Sequence, residues 1–157
     1  MKISIKLLVI TLFLISGFSA CKKGSTGPDP IIPDTTKPTI TIIKPTAGQI
    51  FSAGSTIVFQ ASFSDNVKLK SYEIAISKVI TGGLILKIVP ISEDFSYTKT
   101  STNFTAGVKL QEINLSDIVI PVNTANKITT PGKYNVKVTC VDASDNSNST
   151  TIEINIS

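Results

Sequence analysis

Gly132-Lys-Tyr-Asn-Val-Lys-Val-Thr-Cys-Val-Asp142, then Ala143-Ser-Asp-Asn-Ser-Asn-Ser-Thr150, then Thr151-Ile-Glu-Ile-Asn-Ile156, is the stretch whose reading decides the fold. Tyr134, Val136, Val138 and Cys140 alternate with Asn135, Lys137 and Thr139. Ile152, Ile154 and Ile156 alternate in the same way with Glu153 and Asn155. Successive side chains of a strand point to opposite faces, so strict two-residue alternation marks half-buried strands. The eight residues between the runs are Asp, Ser, Asn, Ala and Thr, types that favour turns by bonding their own backbone. An antiparallel hairpin with an acidic loop is predicted.

The rest of the chain carries the same signature. Ile40 and Ile42 alternate in Thr39–Ile43, and Lys44–Gln49 turns the chain. Ile57, Phe59, Ala61 and Phe63 form a second run, ended by Ser64-Asp65-Asn66. Tyr72, Ile74 and Ile76 form a third, closed by Thr81-Gly-Gly83, and Leu84–Val89 reads as a fourth, stopped by Pro90. Glu93 to Gly107 is polar and reads either as a long loop or as an edge strand. Val108, Leu110, Ile113, Leu115, Ile118 and Ile120 fit one bulged strand or two short ones. Leu is scarce while Ile, Val and Thr are abundant, as strands prefer, and no stretch has a helical period. Seven or eight short strands separated by turn clusters predict an all-β, two-sheet antiparallel sandwich.

A chain of 157 residues has room for one ordinary domain. It contains no His, no Arg and no Trp, and two Cys. Without His, Ser-His-Asp and Cys-His catalysis is excluded. Without Arg, the bidentate fork for phosphates and guanine edges is missing. Net charge is +4; setting aside Lys2 and Lys6 of the leader leaves 13 Lys against 11 acids, a spread +2 that gives no nucleic-acid footprint. The chain reads as non-enzymatic.

Residues 1–20 have a positive start and an apolar run, Leu7–Ile15, followed by Ser16, Gly17, Ser19 and Ala20, which reads as a secretory signal. Phe18-Ser-Ala-Cys21 resembles the lipobox of bacterial lipoproteins, with Phe where that family prefers Leu. The resemblance implies that Cys21 is lipidated and becomes the new N-terminus; the alternative is ordinary cleavage near Ala20. Lys22 stands where an Asp would retain a lipoprotein in the inner membrane, so the resemblance implies the outer membrane. Residues 21–37 form a tether, since Lys22–Pro38 holds four prolines and two glycines; at about 3 Å per residue it reaches roughly 50 Å. Residues 38–157 form the folded domain. With Cys21 lipidated, Cys140 has no intrachain partner and, on the inward face of its run, is expected to be a buried thiol.

Gly132-Lys-Tyr134 resembles the start of strand F in immunoglobulin-like domains, where a Tyr fixes the corner. Asp34-Thr-Thr-Lys-Pro-Thr-Ile40 and Val138–Asn146 resemble the opening and closing signatures of bacterial immunoglobulin-like and cadherin-like modules. Over residues 34–157 the chain is similar to small lipoproteins of unknown function built on such a domain. The implied topology places the segment before the first strand, the Asp65-Asn66 turn and the last hairpin loop at one end. Asp34, Asp65, Asp142 and Asp145, with Asn66 and Asn146, would converge there. Calcium takes six to eight oxygen ligands in irregular geometry, which suits such a cluster, and cadherin-like modules bind calcium in the corresponding loops. The competing reading is that Asp and Asn are common turn residues.

Glu93-Asp94 is a weak candidate for glycoside hydrolysis, because adjacent strand residues point to opposite faces. Phe95, Tyr97 and Phe104 are the aromatics that alternation leaves free for an exposed patch. The function expected is a lipid-anchored binding or structural accessory of the cell envelope that contacts a protein or other envelope partner. The alternative is a glycan- or nutrient-capture lipoprotein beside an outer-membrane uptake system.

Overall fold

The computed structural model describes residues 32–80 and 91–157. These carry ten strands and no helix: β1 (Thr39–Lys44), β2 (Ile50–Phe51), β3 (Thr56–Ser64), β4 (Leu69–Lys78), β5 (Ile91–Glu93), β6 (Tyr97–Ser101), β7 (Leu110–Val119), β8 (Lys127–Thr129), β9 (Gly132–Asp142) and β10 (Ser147–Ile156). The predicted hairpin forms with a shorter loop than the eight residues between the two runs, because Ser147–Thr150 pair with β9 as the first part of β10. Strands β9 and β10 pair antiparallel without a register break, from Val141 opposite Ser147 to Gly132 opposite Ile156. Tyr134, Val136, Val138, Cys140, Ile154 and Ile156 all face the core and are buried.

Two sheets make the sandwich. One has the order β1-β3-β7 and the other β2-β10-β9-β4-β6. This is the strand arrangement of an immunoglobulin-type fold, with β1, β3 and β7 in the places of A, B and E, and β4, β9 and β10 in those of C, F and G. The core lies between them: Ile57, Phe59, Ala61 and Phe63 of β3 on one side, and Tyr72, Ile74 and Ile76 of β4 with the hairpin residues on the other. Strand β2 adds to β10 in parallel through Gly48 N–H to Glu153 O (2.7 Å), Asn155 N–H to Gln49 O (2.9 Å) and Ser157 N–H to Phe51 O (2.9 Å).

The count of strands exceeds the seven or eight predicted, because β2, β5 and β8 are two or three residues long. A strand that short shows no period, so alternation cannot reveal it. Strands β5 and β8 form a separate two-stranded parallel pair. The region Glu93–Gly107 contains an edge strand, β6, paired with β4. Strand β7 is single and bulged: Ile57 faces Ile118 and Phe59 faces Leu115, so Ser116 and Asp117 together oppose Val58. One extra residue reverses which parity faces inward, which is why Ile113 and Leu115 are followed by Ile118 and Ile120. The predicted strand Leu84–Val89, the leader 1–20, Cys21 and most of the tether lie outside the described residues.

Tyr134 closes one end of β9. Its hydroxyl donates to Thr130 O at 2.6 Å and accepts from Phe95 N–H at 3.3 Å. This is the tyrosine-corner bond expected from Gly132-Lys-Tyr134. The opposite end of the sandwich is where the predicted acidic pole falls.

Candidate metal centre

Three segments meet at that pole. Strand β1 begins beside the end of β3, Thr39 opposite Ser64. The turn between β3 and β4 and the loop between β9 and β10 lie together, joined by Ala143 N–H to Lys68 O at 2.9 Å. The segment before β1 is fastened to the second loop and to the start of β10 by side-chain amides: Asn146 Nδ2 donates to Asp34 O (3.1 Å) and Asn148 Nδ2 to Pro38 O (2.9 Å). A fourth segment missed by the sequence reading also reaches the pole, since Asp65 N–H bonds Lys109 O at 2.8 Å.

Asp34, Asp65 and Asp142 each bring a carboxylate oxygen to within 4.8 Å of the others. Asp142 is fully buried and Asp65 is 8% exposed. Local backbone fixes each carboxylate. Asp65 Oδ2 accepts from Val67 N–H (2.8 Å) and Lys68 N–H (2.7 Å). Asp142 Oδ1 accepts from Ser144 N–H and Asn146 N–H, both at 2.8 Å, and its Oδ2 accepts from Asn146 Nδ2 at 2.7 Å. Asp34 Oδ1 accepts from Asn66 Nδ2 and from Thr36 N–H, both at 3.0 Å. These bonds, Asn66 foremost, hold the Asp34 carboxyl below the usual carboxylate range. The two remaining oxygens, Asp65 Oδ1 and Asp34 Oδ2, are covered from solvent and have no hydrogen-bond partner.

The expected cluster is corrected in one member. Asp145 does not join it. That residue sits in the left-handed backbone region (φ 67), is exposed, and pairs with Lys70. Short polar residues tolerate this conformation, and here it carries the side chain out of the loop. Asn146 takes the inward place and bonds two of the three segments. The Asp142/Asn146 spacing, an Asp bonding its own backbone four residues on, is the sequence signal for this.

Beneath the pole lies Cys140, a free thiol with no exposed surface. Burial, followed by the nearby Asp65 and Asp142 charges, pushes its pKa up to about 12. A thiol that stays protonated is a poor metal ligand and a poor nucleophile.

The aromatic patch is overturned by two of its three residues. Phe95 is buried against Tyr134, with ring centroids 6.3 Å apart. Phe104 is buried against Phe63 (5.5 Å) and Tyr72 (5.3 Å) in a three-ring cluster. Both lie in irregular segments, where no period announces burial, and tertiary packing decides. Tyr97 is half-buried on β6. Glu93 and Asp94 turn to separate lysines, Lys127 and Lys78.

Comparison with known families gives a match over residues 19–157, to DUF4625, a domain of unknown function. The chain belongs to this family. No curated protein matches this DUF4625 chain. Among solved structures it is similar to the sporulation control protein Spo0M from Bacillus subtilis, at 12% identity and TM-score 0.38, over 76% of this chain and 48% of that one. It is also similar to a beta-glucosidase from Listeria innocua in complex with glucose, at 12% identity and TM-score 0.33, over 75% and 16%. The DUF4625 chain thus spans about half of the first protein and about a sixth of the second. Among the described residues no helix is long and apolar enough to cross a membrane.

Proposed function

We propose that this DUF4625 chain is a lipid-anchored, non-catalytic accessory module of the outer membrane, an immunoglobulin-like domain held on a proline-rich tether and offered to a protein or other envelope partner. The observation that carries this reading is Phe18-Ser-Ala-Cys21, which resembles a lipobox and is followed by Lys22 and a proline-rich stretch that leads to Asp34. The bonds from Asn66 and Asn146 to Asp34 support it, because they make the tether's end part of the folded domain. The chain has no His, the side chain that serves most general acid–base chemistry, and this supports a non-catalytic role. A glycan platform gains no support from Phe95 and Phe104, both buried.

Detergent partitioning of the expressed protein tests the anchor. The wild type is expected in the detergent phase with an N-terminal acyl-modified Cys21, and Cys21→Ser in the aqueous phase. Lys22→Asp is expected to move the protein from the outer to the inner membrane in density separation. Equal membrane retention of wild type and Cys21→Ser would overturn the reading.

A further inference from the structure

We infer that Asp34, Asp65 and Asp142 together hold one calcium ion, and that the ion clamps the end of the tether onto the sandwich. Every buried polar group needs a partner or carries an uncompensated desolvation cost. Asp65 Oδ1 and Asp34 Oδ2 have none, although the second oxygen of each carboxylate accepts two bonds. Asp142 Oδ2 accepts one bond, from Asn146, and retains a lone pair.

Charge points the same way. Among the described residues five ion pairs form, and none uses Asp34, Asp65 or Asp142. Three carboxylates therefore approach within 4.8 Å with no side-chain cation between them, while the more exposed Asp145 has its Lys70. Mutually repelling acids in a site with low solvent access are what a bound cation would hold together.

Donor type and spacing select the ion. All donors are hard oxygens, which favour calcium or magnesium over zinc or copper. Calcium accepts six to eight oxygens at about 2.3–2.6 Å in irregular geometry, whereas magnesium demands a near-ideal octahedron and gives up its waters reluctantly. Carboxylate oxygens within 4.8 Å of one another, carried by three separate segments, suit the ion with the more tolerant geometry. The three acids come from three separate segments, and Asp34 alone precedes the first strand. An ion shared by all three ties residues 33–38 to the β3–β4 and β9–β10 connections.

The site stands whether or not Cys21 is acylated, so its test uses the full chain in both wild-type and Cys21→Ser forms. Melting and isothermal titration are run with calcium chloride, magnesium chloride or chelator, with hydrogen exchange followed over residues 33–38. A hundredfold excess of calcium over its Kd should raise the folded-to-unfolded ratio about 100-fold, equal to about 2.7 kcal/mol. Magnesium at equal concentration should do less. Asp65→Asn and Asp34→Asn should abolish the calcium shift, and Asp145→Asn should keep it whole. Calcium should also slow exchange at Asp34–Lys37. Identical melting in calcium and chelator without binding heat, or loss of the shift on Asp145→Asn with retention on Asp65→Asn, would overturn the site. Calcium binding without added protection of residues 33–38 would overturn the clamp.

Discussion

Tyr134→Ala is expected to lower the unfolding free energy by about 3–5 kcal/mol, the range for truncating a large buried aromatic, and Tyr134→Phe by about 1–3 kcal/mol. The two substitutions separate packing from the hydroxyl. Tyr134 has no exposed surface and packs on Phe95, and Lys78 Nζ stands 5.9 Å from its ring centre. Phenylalanine keeps those contacts. It strands Thr130 O and Phe95 N–H, each of which now has the hydroxyl as partner. Losing one partner of a buried pair costs more than the bond contributes, because the other group stays dry and unpaired. Urea unfolding of the three proteins provides the comparison. A Tyr134→Phe protein as stable as wild type would show that the corner bond is dispensable.

Alkali is expected to destabilise the protein through Cys140. The thiol pKa is near 9.0 when unfolded and about 12 when folded. Below pH 9 both states carry the proton and the thiol contributes no pH dependence. Between pH 9 and 12 the unfolded chain releases the proton and the folded chain keeps it, so stability falls as pH rises. The loss approaches about 1.4 kcal/mol per pH unit and totals up to about 4 kcal/mol. Cys140→Ala removes this dependence. At neutral pH it should cost about 1 kcal/mol for the small void it leaves. Its stability curve should therefore cross that of the wild type near pH 10, because lysine and tyrosine titration is common to both proteins. Parallel curves from pH 7 to 11 under reducing conditions, with chelator present, would show that the buried thiol is not the cause.

How far the sequence could be read follows from which forces have a local signature. The β9–β10 hairpin and β3 were legible because one wet and one dry face impose a period of two on the side chains. Strand β7 was half legible. Its apolar positions were visible, but the parity change after Leu115 is resolved only by the register against Ile57 and Phe59. The burial of Phe95 and Phe104 has no local signature, because they lie outside regular strands and pack on the neighbouring Tyr134, Phe63 and Tyr72 rings. At the pole, topology gathered the right segments. It could not distinguish Asp145 from Asn146, since that choice rests on one backbone angle and on Lys70.

The parallel seam between β2 and β10 has a mechanical consequence. A pull applied between the segment before β1 and the end of β10 loads β1 against β3 first, and once β1 has parted it acts along β2 and β10 in opposite directions. The bonds at Gly48, Asn155 and Ser157 lie across that line. They are strained side by side in shear, and no single bond can open first as in a zipper. Against a tug along the tether, the sandwich should resist as a latch, yielding abruptly, whereas a pull that peels β1 from β3 would part its ladder one rung at a time.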